Sequence, residues 1–208
     1  MITKEQSNFI KLVAVSAMLL DHLGVFLYPS IIELRIIGRI AFPIFAYQLT
    51  IGYAMTPSKK EYLARLIGFG LIAQVPYYFL MQKFELNILF ALALGVLALW
   101  ALDKRKYYYL ILIVAASFFV KYSIYGLSII LIFHVFKNRP AQFGLFTLAT
   151  ILFSLYSASS IQIFAVSALL FIIKPFLEVK LSRNFFYVFF PAHLLIILLI
   201  RIILEKGW

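Results

Sequence analysis

Lys11-Leu-Val-Ala-Val-Ser-Ala-Met-Leu-Leu-Asp21-His22-Leu-Gly24-Val25 places a carboxylate and an imidazole side by side within the first long apolar run of the chain. An ionisable side chain at bilayer depth costs roughly 2.5–3.5 kcal/mol even on lenient insertion scales. Two in succession therefore mark a proton, ligand or acyl site rather than packing. At a rise of about 1.5 Å per residue, His22 lies roughly 16 Å along the helix from Lys11, and eleven residues bring both to one face. A cation near the mouth and an imidazole past the midplane suit an anionic, elongated ligand. Asp21 points about 100° away from His22, so it tunes the local field or meets another helix. Alone, Lys11 reads more simply as a snorkelling charge at the span edge.

Outward from this stretch the rest of the chain has the same character. Its 208 residues are 64% hydrophobic and 13% charged, against roughly 45–50% apolar and 25% charged in soluble domains. The apolar runs are continuous rather than alternating, which points to helices and not a β-barrel. Nine runs can be delimited, at 8–28, 36–55, 63–82, 86–102, 107–120, 122–136, 141–156, 160–177 and 185–204. The expected fold is an all-α integral membrane protein, one domain over 1–208 forming a single bundle of about nine transmembrane helices. The fifth, sixth and seventh runs are short for a bilayer of about 30 Å, and grouping the fifth and sixth as a re-entrant unit gives eight, within a range of eight to ten. With the N-terminus in the cytoplasm, thirteen of the 19 Lys and Arg residues, Arg183 among them, fall on the inner side. That bias predicts an N-in, multi-pass protein of the cytoplasmic membrane.

The net charge of +11 lies in short loops, where the positive-inside rule accounts for it, so nucleic acid is not an expected partner. The absence of cysteine excludes disulfides and thiol nucleophiles. The first apolar run lacks a small-x-small cleavage site, so it is read as a span and not a signal peptide. No Walker loop, HExxH or GxSxG occurs, and the three histidines are far apart in sequence, so no metal is expected.

Other polar residues inside spans add to the set. Arg35 and Arg39 are spaced i, i+4 at the outer end of the second run, where positive-inside sorting would not place them, and Arg39 lies near the depth of Asp21. They read either as a structural ion-pair set with Glu33 or Asp21 or as a functional site. Asn87 heads an apolar run, as a helix cap would. His193 follows Pro191 and faces either an inner-side ligand or another helix. His134 sits beside the basic inner charges and reads as interfacial. Gln48, Gln74, Lys121 and Tyr125 complete the list.

Taken together, these blocks resemble the TraX family: Lys11 through Asp21-His22-Leu-Gly24; Leu34-Arg35-Ile-Ile-Gly38-Arg39-Ile-Ala-Phe42-Pro43-Ile-Phe45; Gln74-Val-Pro76-Tyr77; Leu86-Asn87-Ile-Leu-Phe90; Tyr125-Gly126; and Phe190-Pro191-Ala-His193. The name-giving member of that family is associated with N-terminal acetylation of conjugative pilin. A basic residue eleven positions before a histidine on the first helix also resembles the signature of the wider transmembrane acyltransferases. The resemblance implies a membrane acetyltransferase that takes its acyl group from cytoplasmic acetyl-CoA, with no metal. His22 would be the base or acyl carrier, with Asp21 and Arg39 beside it. Lys11, His193 and Asn87 would lie on the donor side, and Arg35, Lys121 and Tyr125 on the acceptor side. At Lys121-Tyr122-Ser123 the sequence departs from the family pattern, which has an acidic or neutral residue, then Tyr, then Gly. The acceptor, an amine or a hydroxyl, and the oligomeric state are not legible. A competing reading is a small-molecule or proton-coupled transporter with Asp21, His22 and Arg39 as a relay. Against it stands the lack of two symmetric halves with broken helices.

Overall fold

The computed structural model describes residues 3–182 and 184–206; Arg183, sorted above to the inner side, lies outside them. The order of elements is α1 (Lys4–Phe26), α2 (Ile32–Gly38), α3 (Ala41–Met55), α4 (Lys59–Met81), α5 (Ile88–Asp103), α6 (Tyr108–Ser117), α7 (Ser123–Val135), α8 (Arg139–Tyr156), a 3-10 segment (Ser160–Ser167), α9 (Ala168–Ile173) and α10 (Phe185–Lys206). Among the described residues there is no strand, only an isolated bridge between Leu86 and Val120.

Among the described residues, four stretches are long and apolar enough to cross a membrane: Lys4–Phe26, Ile32–Met55, Lys59–Met81 and Phe185–Glu205. Helices α6 and α7, with 10 and 13 residues, span only about 15 and 20 Å. They are the short elements expected from the fifth and sixth runs. Large apolar side chains face outward, among them Leu71 at 61%, Ile111 at 73% and Leu155 at 73% exposure, while Asn87 and Thr150 are fully buried. Polar groups buried within an apolar exterior are what lipid, not water, stabilises. The protein is a multi-pass membrane protein.

Two predicted runs are interrupted. The second breaks at Arg39–Ile40, between α2 and α3. Pro43 explains this, because its ring would collide with the carbonyl four residues earlier, that of Arg39, and it lacks an N–H. The eighth run, predicted as one helix over 160–177, is a 3-10 segment followed by the short α9 and ends at Ile173. Lys174 is extended, with φ −138° and ψ 81°, because the following Pro175 disfavours helical geometry in the residue before it.

The core joins α1, α3, α4, α5, α7 and α10. Helix starts are set by local caps: Thr3 and Gln6 form a capping box on α1, Ser58 caps α4, and Asn87 caps α5. One end of the bundle gathers the start of α1, the α3–α4 turn and the irregular 174–182 segment, where the Val179 amide donates to the Glu5 carbonyl at 3.2 Å. At the opposite end the α4–α5 and α6–α7 loops meet, with Leu86 N–H donating to the Phe119 carbonyl at 2.9 Å.

That second loop carries backbone strain. Tyr122 and Ser123 have φ of 67° and 44°, the left-handed region that favours glycine. Ser123 thus occupies, at a cost, a position where a side chain is disfavoured. Ser123→Gly is expected to raise stability by up to about 1 kcal/mol, seen as a higher unfolding temperature in detergent. A lower temperature would contradict the strain.

Candidate functional site

The site lies near the C-terminal end of α1. Glycines let α2 press against it. A Cβ at Gly24 would stand 2.9 Å from the Leu34 Cβ, and one at Gly38 would stand 2.8 Å from the Asp21 Cα. Close approach at small residues is how helices pack in lipid, where apolar attraction between them is lost. The contact brings both arginines of the i, i+4 pair onto one carboxylate oxygen. Asp21 Oδ1 accepts from Arg35 Nε at 2.9 Å and from Arg39 Nη2. Arg39 also donates through Nε to the Arg35 carbonyl at 3.1 Å and through Nη1 to Gln162 Oε1 at 3.5 Å. Asp21 and Arg39 are buried, at 9% and 8% exposure. The Asp21–Arg39 pair anticipated from depth therefore forms, and Arg35 joins it rather than Glu33.

With Asp21 turned to α2, the step of about 100° to the next residue carries His22 to α10. There His22 Nδ1 lies 2.8 Å from His193 Nε2, the rings near-parallel with centroids 5.0 Å apart. His193 Nδ1 lies 2.9 Å from the Phe189 carbonyl oxygen, and the His193 ring stacks on Phe189 with centroids 5.0 Å apart. A carbonyl only accepts, so His193 Nδ1 carries a proton. In neutral His193 the Nε2 is then the acceptor, and His22 Nδ1–H donates to it. The chain leaves the lone pair of His22 on Nε2. That nitrogen has no hydrogen-bond partner among the described residues, and the side chain is half-buried. Phe189 and His193 hold the imidazole in one tautomer, as a carboxylate does for a catalytic histidine elsewhere.

Further polar groups surround this pair. Lys121 and both arginines lie within electrostatic reach of the His22 ring. Lys121 Nζ stands 4.0 Å from Glu85 Oε2, and the Tyr77 hydroxyl donates to the same oxygen at 2.7 Å. The Tyr125 hydroxyl is 3.0 Å from Thr150 Oγ1 and receives Gln162 Nε2 at 3.4 Å, so Gln162 links Tyr125 to Arg39. Arg35, Arg39, Lys121 and Tyr125 thus gather at the His22 end of the bundle.

The donor-side set does not gather in one place. His193 joins His22. Asn87 is fully buried and its polar atoms are occupied: Oδ1 accepts from the Leu89 amide at 3.0 Å, and Nδ2 donates to the Gly70 carbonyl at 2.8 Å and to Gln74 Oε1 at 2.8 Å. It clamps α4 to the start of α5, and no atom remains for a ligand. Lys11 is half-buried and makes no hydrogen bond or salt bridge among the described residues. Between Lys11 and His22 on their shared face stand Val15 and Met18, both buried, so that face is packed over two turns. His134 bonds Asp103 Oδ1 at 3.0 Å, in the interfacial role expected.

Sequence reasoning missed Gln162, Thr150 and Glu85, and gave Tyr77 no role beyond its place in the Gln74-Val-Pro76-Tyr77 block. A lone glutamine in an apolar run was the available signal for Gln162. Glu85 sits in a connection whose position over the site only the tertiary fold reveals.

The shared carboxylate predicts an order of stability losses. Asp21→Asn leaves two guanidiniums without their counter-charge and is expected to cost about 3 kcal/mol or more. Arg39→Gln should approach that value, while Arg35→Gln, whose side chain is 30% exposed, should cost no more than about 1 kcal/mol. Thermal unfolding of the three variants in one detergent checks the ranking, and an Arg35→Gln loss exceeding that of Arg39→Gln would reverse it.

Comparison with known proteins places the chain. A family model described as TraX protein matches residues 6–201. The chain is 30% identical to a probable fimbrial assembly protein, FimC of serogroup H1, from Dichelobacter nodosus, over 94% of this chain and 96% of that one. It is 33% identical to protein TraX of Escherichia coli over 49% of this chain and 42% of the relative. An uncharacterized Rickettsia prowazekii protein is 38% identical over 45% of this chain and 38% of its own. No solved structure matches. With the family model covering nearly its whole length, the chain belongs to the TraX family.

Proposed function

We propose that the protein is an acetyltransferase of the cytoplasmic membrane, moving an acetyl group from acetyl-CoA to an amine or hydroxyl acceptor. The observation that carries this reading is the hydrogen-bond chain Phe189 carbonyl–His193–His22, which leaves an unpartnered ring nitrogen on His22. In the reaction, His22 Nε2 takes the proton from the acceptor N–H or O–H as the nucleophile bonds to the thioester carbonyl carbon. The tetrahedral intermediate collapses with cleavage of the C–S bond, and the imidazolium returns its proton to the departing thiolate. The developing oxyanion would be stabilised by a cationic donor, a role open to Arg39 and Lys121. His193 and Phe189 orient the ring, and Asp21 holds the arginines that face it. The alternative role for the same nitrogen, as a transient acyl carrier, uses the same lone pair.

Arg35 and Lys121 lie on the acceptor side, and Tyr125 holds Arg39 through Gln162. Lys11 would attract the donor's phosphates at the far end of α1. The excess of Lys and Arg in connections at that end supports a cytoplasmic N-terminus, with the nine helical runs as membrane-crossing or partly crossing elements. The name of the Dichelobacter nodosus relative, a probable fimbrial assembly protein, supports an acceptor among surface-fibre subunits.

His22→Ala should abolish acetyl transfer from radiolabelled acetyl-CoA to membrane proteins while leaving the unfolding temperature within a few degrees of wild type. His193→Phe, which keeps a ring but no acceptor nitrogen, should lower the rate by about 10²-fold or more through loss of tautomer control. Its remaining activity should show an altered pH profile, as expected of a positioning residue. Full transfer by His22→Ala would remove the mechanism.

A further inference from the structure

At the end of the bundle opposite His22, the α3–α4 turn and the end of α5 frame an open cavity of about 500 Å³. Tyr53, Ser58, Lys59, Lys60, Trp100 and Lys104 line it. Tyr53 lies twelve residues along α3 from Ala41, so the cavity is about 18 Å from the level at which α3 begins and is separate from the histidine pair.

The charges of the cavity are arranged for an anion. Lys59 Nζ donates to the Tyr53 carbonyl and to the Thr56 carbonyl at 2.7 Å, which pins the C-terminus of α3 and leaves a fixed positive charge in the wall. Lys60 and Lys104 are exposed and have no ion-pair partner among the described residues. One carboxylate also lines the cavity, Asp103, which bonds His134 Nε2 at 3.0 Å and stands against three lysines. Ser58 begins α4, a helix of 23 residues whose first turn opens here, and its hydroxyl oxygen accepts from the Glu61 amide at 3.2 Å. Its own O–H remains to donate, and the helix dipole adds partial positive charge. Trp100 offers an aromatic wall, with Lys106 Nζ 5.4 Å from its ring centroid.

We infer that this cavity binds a phosphate group carried by an amphipathic or nucleotide ligand, with Lys60, Lys104 and the start of α4 as the phosphate ligands and Trp100 against the attached organic part. The phosphate has two sources, the nucleotide end of a soluble cofactor or an anionic lipid headgroup. Where it is the nucleotide end of the acyl donor, the inference rests on the acetyltransferase reading; the phosphate site itself does not.

The chain has two tryptophans, so Trp208→Phe leaves Trp100 as the sole reporter. In that background, reconstituted in phosphatidylcholine nanodiscs, coenzyme A is expected to quench Trp100 fluorescence saturably, with inorganic pyrophosphate competing. The double variant Lys60→Gln/Lys104→Gln should weaken that response at least 10-fold. A fluorescence change that instead follows the phosphatidylglycerol content of the disc, ignores coenzyme A and vanishes in the double variant supports the site with a lipid as its source. No response to either ligand, or a response the double variant leaves unchanged, overturns the site. His22→Ala separates this result from the enzyme reading. Normal quenching with lost transfer fits both, whereas quenching in a wild-type protein that transfers no acetyl group leaves the cavity standing and removes the acetyltransferase.

Discussion

One carboxylate oxygen, that of Asp21, holds two guanidiniums near the end of the first span. In lipid an unpaired arginine is expensive, so buried Asp21 and Arg39 are bound more tightly than the same pair would be in water, with the more exposed Arg35 adding less. Because the arginines stand on α2 and at its C-terminus, their attraction to Asp21 fixes a seven-residue helix that is far too short to be stable alone. Gly24 and Gly38 make the approach sterically available; the charges make it favourable. The break at Arg39–Ile40, enforced by Pro43, lets Arg39 turn inward at the point where the span resumes as α3.

The helix period converts this clamp into a site. Asp21 and His22 are neighbours in sequence but face different partners, so binding Asp21 to α2 aims His22 at α10. There a second device, a carbonyl and a second histidine, determines which nitrogen of the ring is free. The two devices do different work. The clamp sets where the imidazole is and surrounds it with positive charge, while the relay sets which lone pair it presents. The side chains that complete the environment come from loops (Glu85, Lys121), from helices α4, α7 and α8 (Tyr77, Tyr125, Thr150) and from the 3-10 segment, which carries Gln162 into the interior between Arg39 and Tyr125.

How much of this was legible varies with the range of the interaction. The helical, membrane-embedded character followed from composition and continuous apolar runs, because lipid leaves the backbone few alternatives. The Asp21–Arg39 pairing was legible from depth alone, since an unpaired charge at that level needs a partner and few exist. The His22–His193 contact was not. Counted from the inner edge of its run, His193 seemed to lie toward the donor side, but the structure brings its ring against that of His22, after a 174–182 segment with no regular secondary structure. Pro175 was visible, yet its consequence for a residue eighteen positions later depends on the tertiary path. Asn87 illustrates the opposite case. Its reading as a cap was available from sequence, and the structure uses all its polar atoms structurally. Ser123 shows how a departure from a family pattern acquires physical meaning only once φ is known.

The account rests on His22 being held as the Nδ1–H tautomer with its Nε2 lone pair free. Nitrogen NMR of histidine-labelled protein in nanodiscs, assigned with His134→Gln and His193→Gln variants, reads that directly. The account predicts a protonated Nδ1 and an unprotonated Nε2 on His22, with scalar coupling across the hydrogen bond to His193 Nε2. A protonated Nε2 on neutral His22, or no coupling between the two rings, would contradict it.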